Sequence, residues 1–92
     1  MTHLSCNVVI SSSVMVRQLG AETVILDLAS SSYFGLDPVG TRIWQLMTEG
    51  QTLAQVCETM LAEYEVTRED IERDVLALVQ TLADKQLVGV GA

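Results

Sequence analysis

Apolar positions change their period once along the chain. Between Val14 and Leu36 they alternate, or cluster in short runs set off by Gly and Ser. From Val39 onward they recur every three or four residues. A period of two marks strands, whose successive side chains point to opposite faces; a period near 3.6 marks helices. Val14 to Gly20 predicts a first strand, with a turn at Leu19-Gly20-Ala21. Thr23 to Leu28 predicts a second, with Val24, Leu26 and Leu28 on one face and Thr23, Ile25 and Asp27 on the other. After the small-residue turn Ala29 to Ser31, Ser32 to Leu36 predicts a third, with Phe34 and Leu36 opposite Tyr33 and Gly35. Strands joined by links this short form an antiparallel meander. Val8 to Ile10 either extends the first strand or forms a separate arm, and the pattern leaves both open.

Three helices follow. Asp37-Pro38 opens the first: Asp is a favourable N-cap, and Pro at the first helical position forfeits no amide bond. Val39, Ile43, Leu46 and Met47 recur at helical spacing up to a stop at Gly50. Thr52 and Gln55 make a capping box for the second helix, with an apolar stripe of Leu53, Val56, Cys57, Met60, Leu61 and Tyr64. Thr67 caps the third. Its acids Glu69, Asp70 and Glu72 sit near the positive end of the helix dipole and Lys85 near the negative end. Ile71, Val75, Leu78 and Leu82 form a seam, widened by Leu76, Val79 and Ala83. Arg73, Asp74, Ala77 and Thr81 occupy the opposite side, with small Ala77 at its middle. Leu87-Val88 closes the fold. The expected divisions are an N-terminal arm over 1–13, one domain over 14–88 and a frayed tail over 89–92.

Composition narrows the partners. The chain has 92 residues, 49% of them apolar, which suits one small domain with a modest core. Its net charge of −7 and five scattered basic residues disfavour nucleic acid and anionic membrane surfaces, both of which demand clustered Lys and Arg. No apolar run approaches the ~20 residues of a membrane span. The opening Met1-Thr2-His3-Leu4-Ser5-Cys6-Asn7 has no basic stretch ahead of an apolar one, so the expected compartment is the cytoplasm. Reducing conditions there predict free thiols at Cys6 and Cys57.

Catalytic constellations do not emerge. His3 is the sole histidine, and no set of His and Cys has zinc-ligand spacing. Cys57 falls on an apolar stripe and reads as a small hydrophobe. Ser11 to Ser13 and Ser30 to Ser32 read as turns. Glu63, Glu65, Glu69, Asp70 and Glu72 lack the spacing of a calcium loop and read as a solvated face. Trp44 reads as an aromatic at the edge of the core. No enzymatic activity, cofactor or metal is expected.

Three strands followed by three helices make an α+β chain with the content of a winged helix-turn-helix domain. The run Val24-Ile25-Leu26-Asp27, Tyr33-Phe34-Gly35-Leu36-Asp37 and Gly40-Thr41-Arg42-Ile43-Trp44 resembles the hallmark run of the PqqD family. So does Asp74-Val75 followed by Leu78-Val79 and Leu82, ending near Leu87-Val88. The resemblance covers Val14 to Val88, and with the Ile43-Trp44 pair it is most similar to the stand-alone leader-binding half of a split lasso-peptide B protein. It implies a recognition element for ribosomally synthesised, post-translationally modified peptides. Such an element binds the leader of a precursor and presents it to separate enzymes, which in lasso systems are a leader peptidase and an ATP-dependent macrolactam synthetase. By the same resemblance, the leader adds as a strand to the third strand, in a groove walled by the third helix.

The residues expected at that site are Ser31, Ser32, Tyr33, Phe34 and Gly35 on the strand side. Asp70, Arg73, Asp74, Ala77 and Thr81 are expected on the helix side. An open sheet edge supplies unpaired backbone groups, and Ala77 leaves room for an apolar leader side chain. Asp70 and Asp74 suit a basic or hydroxyl-bearing one. The motif assigns Leu36, Ile43, Val75, Leu78 and Leu82 to the core. Three other readings stay open: a family chaperone serving a radical enzyme in a different peptide-modifying pathway, a winged-helix regulator, and a homodimer joined through third strands.

Overall fold

The structure is a computed structural model that describes residues 7–91; His3, Cys6 and Ala92 lie outside the described residues. The elements are β1 (Asn7–Ile10), β2 (Val14–Leu19), β3 (Glu22–Asp27), β4 (Ser32–Leu36), α1 (Pro38–Thr48), α2 (Leu53–Glu63), α3 (Arg68–Asp84) and β5 (Val88–Gly91). Strands β2, β3 and β4 are the three read from the alternation. They form an antiparallel sheet in the order β2-β3-β4, with Ile25 opposite both Val16 and Phe34.

Local chemistry sets each boundary. Leu19 pairs with Glu22 across the two-residue link Gly20-Ala21. Gly20 has φ +66°, the left-handed first position of a type II′ hairpin turn, which costs a glycine nothing. In the β3–β4 turn, Asp27 accepts from the amide of Ala29 (3.1 Å) and the hydroxyl of Ser30 (2.8 Å). The serines are therefore turn-formers. The helix caps stand where the residue pattern puts them. Asp37 Oδ1 accepts from Gly40 N at 2.7 Å. Thr52 and Gln55 exchange both bonds of the capping box, and Thr67 accepts from Asp70 N.

Helix α3 ends in a Schellman turn. The Leu87 amide reaches back to the Leu82 carbonyl and that of Gln86 to Ala83, while Gln86 takes φ +61°. This reversal buries Leu87 and Val88 and launches β5. There the structure corrects the expected frayed tail. Gly89 to Gly91 lie in β5, which pairs with β1 from Asn7↔Gly91 to Ile10↔Val88. The same pairing settles the open question at Val8 to Ile10, which form a separate strand. A ribbon joining the two ends satisfies backbone groups that a loose tail would leave to water, and its Val8, Ile10 and Val90 pack on the core.

The core lies between the inner face of the sheet and the helices. Ile25, Leu36, Ile43, Trp44, Leu46, Leu53, Val56, Met60, Ile71, Val75, Val79 and Leu82 are all buried. Trp44 is 3% exposed, so it belongs inside the core and not at its edge. Tyr64 and Val39, expected on apolar stripes, are 37% and 39% exposed. Tyr64 follows the last residue of α2 as its cap, and Val39 faces the groove described below. No helix among the described residues is long and apolar enough to cross a membrane.

Candidate functional site

Strand β4 is an edge of its sheet, with β3 on one side and, among the described residues, no strand on the other. Arm residues Asn7 to Ile10 are committed to β5 and do not cover it. Beside this edge runs a groove of about 430 Å³, lined by Phe34, Gly35, Leu36, Asp37, Val39, Gly40, Ile43, Asp74, Ala77 and Leu78. Its walls come from three elements: β4, the first turns of α1 and the middle of α3. Alternation places Phe34 and Leu36 on the helix-facing side of the sheet, and exposed Ala77 on α3 keeps the opposite wall low.

Leu36, Ile43 and Leu78, assigned by motif to the core, reach this groove as well as the core. Leu78 is half-buried, whereas the deeply buried seam of α3 is Ile71, Val75, Val79 and Leu82. The residues missed as lining are thus Leu36, Asp37, Val39, Gly40, Ile43 and Leu78. The helical or strand period of Leu36, Val39, Ile43 and Leu78 makes them look like core, and Asp37 reads only as a cap; the third dimension shows that the core opens there.

Four of the ten expected site residues line the groove: Phe34, Gly35, Asp74 and Ala77. The other six lie outside its lining. Ser31 sits in the β3–β4 turn at φ +58°, and the Ser32 hydroxyl pairs with that of Ser30 at 2.6 Å. Tyr33 points to the opposite face of the sheet, 78% exposed, beside Met15 and Leu26. The reason is the strand period: neighbours on β4 cannot both face α3. Asp70 and Arg73 pair on the exposed flank of α3 at 3.0 Å, and the Thr81 hydroxyl donates to the Ala77 carbonyl at 3.0 Å.

The groove is apolar in its floor and charged at its margins. Asp37 and Asp74 are its acidic lining residues. Arg73 lies 3.7 Å from Asp74 but also holds Asp70, so one guanidinium is shared between two carboxylates. Lys85 places its Nζ 5.7 Å from the centroid of the Phe34 ring, within cation–π range. Elsewhere the ion pairs are structural. The Arg42 guanidinium grips Glu63 through two bonds, 2.6 and 2.8 Å, and holds that carboxyl below its ordinary value. Arg68 holds the Glu58 carboxyl below its ordinary value through a single bond. Burial pushes the free Cys57 thiol up, so it stays protonated and inert. No group of three or more His, Cys, Asp or Glu among the described residues is placed to hold a metal.

A small α+β domain with an open sheet edge, a flanking helix and a groove between them defines the class: a fold built to present an edge strand. Residues 22–88 match the family model described as coenzyme PQQ synthesis protein D (PqqD), and the chain belongs to the PqqD family. Two solved structures are similar across almost the whole fold. The chain is 39% identical to TbiB1, solved in complex with the TbiA(beta) leader peptide, with a TM-score of 0.86 over 91% of this chain and 98% of that one. It is 31% identical to a lasso peptide synthetase B1, solved with its leader peptide, with a TM-score of 0.84 over 90% and 98%. PqqA binding proteins from two strains of Xanthomonas campestris pv. campestris are 34% identical over 61 residues. That match spans 66% of this chain and 66% of theirs, just under two thirds of the length of those curated relatives.

Proposed function

We propose that this chain is a non-catalytic carrier for the leader of a ribosomally made precursor peptide, bound as an added strand on β4. The observation that carries the reading is the unpaired β4 edge running beside a groove walled by α3. An extended backbone satisfies the donors and acceptors along that edge, giving affinity with little sequence demand. Alternate side chains then drop toward Phe34, Leu36, Ala77 and Leu78, where pocket shape selects among leaders. The relatives support the ligand class: two were solved with leader peptides, and others are named for binding PqqA.

Lasso-peptide maturation is the favoured setting, because the B1 structures match more of the chain, at up to 39% identity, than the PqqA binding proteins do. In that setting the bound leader is presented to a leader peptidase and a macrolactam synthetase. The PqqA binding proteins support a second reading, a carrier serving a radical enzyme of a different modification pathway. Ordering a flexible leader costs entropy, so the expected affinity is about −8 to −11 kcal/mol, micromolar to nanomolar.

The test is fluorescence polarisation with a labelled precursor leader peptide. Ala77→Trp fills the groove from an exposed position and leaves the core untouched. It is expected to keep the wild-type melting temperature and to weaken leader binding by at least tenfold, about 1.4 kcal/mol. A folded Ala77→Trp protein with unchanged affinity contradicts the groove assignment.

A further inference from the structure

Beyond the ligand class, the groove carries an order of charge. We infer that it selects leaders presenting a basic, an apolar and an acidic residue, in that order from the N-terminus, at positions i, i+2 and i+4 of one strand face. This inference rests on the leader-binding reading above and specifies the ligand that reading leaves open.

One contact and the groove lining give the polarity. Phe34, in the middle of β4, meets Lys85 at the C-terminal end of α3. Asp37, just past the end of β4, lines the groove together with Asp74, eleven residues before Lys85 on the same helix. Strand and helix therefore run in opposite directions along the groove. Asp37 and Asp74 belong to the lining itself, whereas Lys85 stands outside it, over the Phe34 ring, beyond the opposite end.

The charges at both ends are available. Asp37 caps α1 through the Gly40 amide, and among the described residues it has no cationic partner. Asp74 shares Arg73 with Asp70. Lys85 is exposed and makes no ion pair among the described residues; the neighbouring carboxylate of Asp84 is held by the Gln80 side chain at 2.9 Å. Arg42, Arg68 and Arg73, by contrast, all have carboxylates within 4.0 Å. Between the two ends the lining is apolar: Phe34, Leu36, Ile43, Ala77 and Leu78.

Direction follows from pairing. Strands pair antiparallel about two to three times as often as parallel, so the added strand enters at the Asp37–Asp74 end and leaves at Lys85. Side chains on one strand face recur every second residue, and positions i to i+4 span ~13 Å. From Asp74 to Lys85 the helix rises ~16 Å. Flexible Lys or Arg at i and Glu or Asp at i+4 reach the two ends, and the residue at i+2 sits over the apolar floor. Each exposed pair changes affinity about 1.4- to 5-fold.

The experiment is mRNA display of random 12-residue peptides against the full chain, repeated on Asp74→Lys/Lys85→Glu and on Ala77→Trp. The double substitution changes two exposed side chains, and its melting curve verifies folding. Wild type is expected to enrich peptides with Lys or Arg two residues before an apolar residue and Asp or Glu two residues after it. The double variant is expected to enrich the opposite order. If both proteins enrich the same charge order, or neither shows one, the charge inference is wrong while the groove stands. If Ala77→Trp enriches the same peptides as wild type, or wild type enriches none, the groove reading fails and the charge order fails with it.

Discussion

Tyr33 and Phe34 are adjacent aromatics with opposite fates. Phe34 faces α3, packs partly on the core and carries Lys85 over its ring. Tyr33 stands in solvent on the other face of the sheet. If leader recognition lies in the groove, Phe34→Ala weakens binding about tenfold or more, as truncated aromatic anchors do, while Tyr33→Ala changes it less than about threefold. Titration calorimetry on both variants, each checked for folding, decides this. Equal losses would place the contact outside the groove. The division was legible in the chain, because period-two alternation already sets Tyr33 and Phe34 on opposite faces. What alternation alone could not reveal is which face meets a helix. Leu78, Val39 and Ile43 mark the same boundary of inference: helical spacing gives their angle around the axis but not whether that sector meets core or groove.

At the scale of elements, local chemistry accounts for the starts of all three helices. Asp37, Thr52 and Thr67 cap through bonds three residues long, so their sequence triplets suffice to locate them. The ends depend more on context. Gln86 occupies the left-handed position that closes α3, where glycine is the usual residue. A non-glycine residue there costs about 1–2 kcal/mol, and the greater unfolded freedom of glycine offsets about 0.5–1. Gln86→Gly is therefore expected to stabilise the fold by about 0.5–1 kcal/mol in urea denaturation; a lower midpoint would contradict the Schellman turn.

The Arg42–Glu63 pair links α1 to the end of α2. Its Glu63 carboxyl titrates below the ordinary 4.5, chiefly through the bond from Arg42. A folded value below the unfolded one adds stability above pH 4.5 that is lost as pH falls through the folded value. Glu63→Gln is accordingly expected to lower the melting temperature slightly at pH 7 and to match wild type at low pH. A difference that grows on acidification would reverse the sign and refute the pairing.

Across the whole molecule, sheet order and helix content could be read from the sequence, but the β1–β5 ribbon could not. Asn7 and Gly91 meet at opposite ends of the chain, and a four-residue strand rich in glycine carries no local signal of its partner. That ribbon matters to the site because it engages the arm from Asn7 to Ile10 away from β4. The three-stranded sheet thus has two edges, β2 and β4, and the groove against α3 runs beside β4. Amide hydrogen exchange along both edges, with and without the leader, separates them most directly. The account predicts that leader binding protects the β4 amides pointing away from β3 and leaves those of β2 unchanged. Protection along Val14 to Leu19, with β4 exchanging as before, would contradict it.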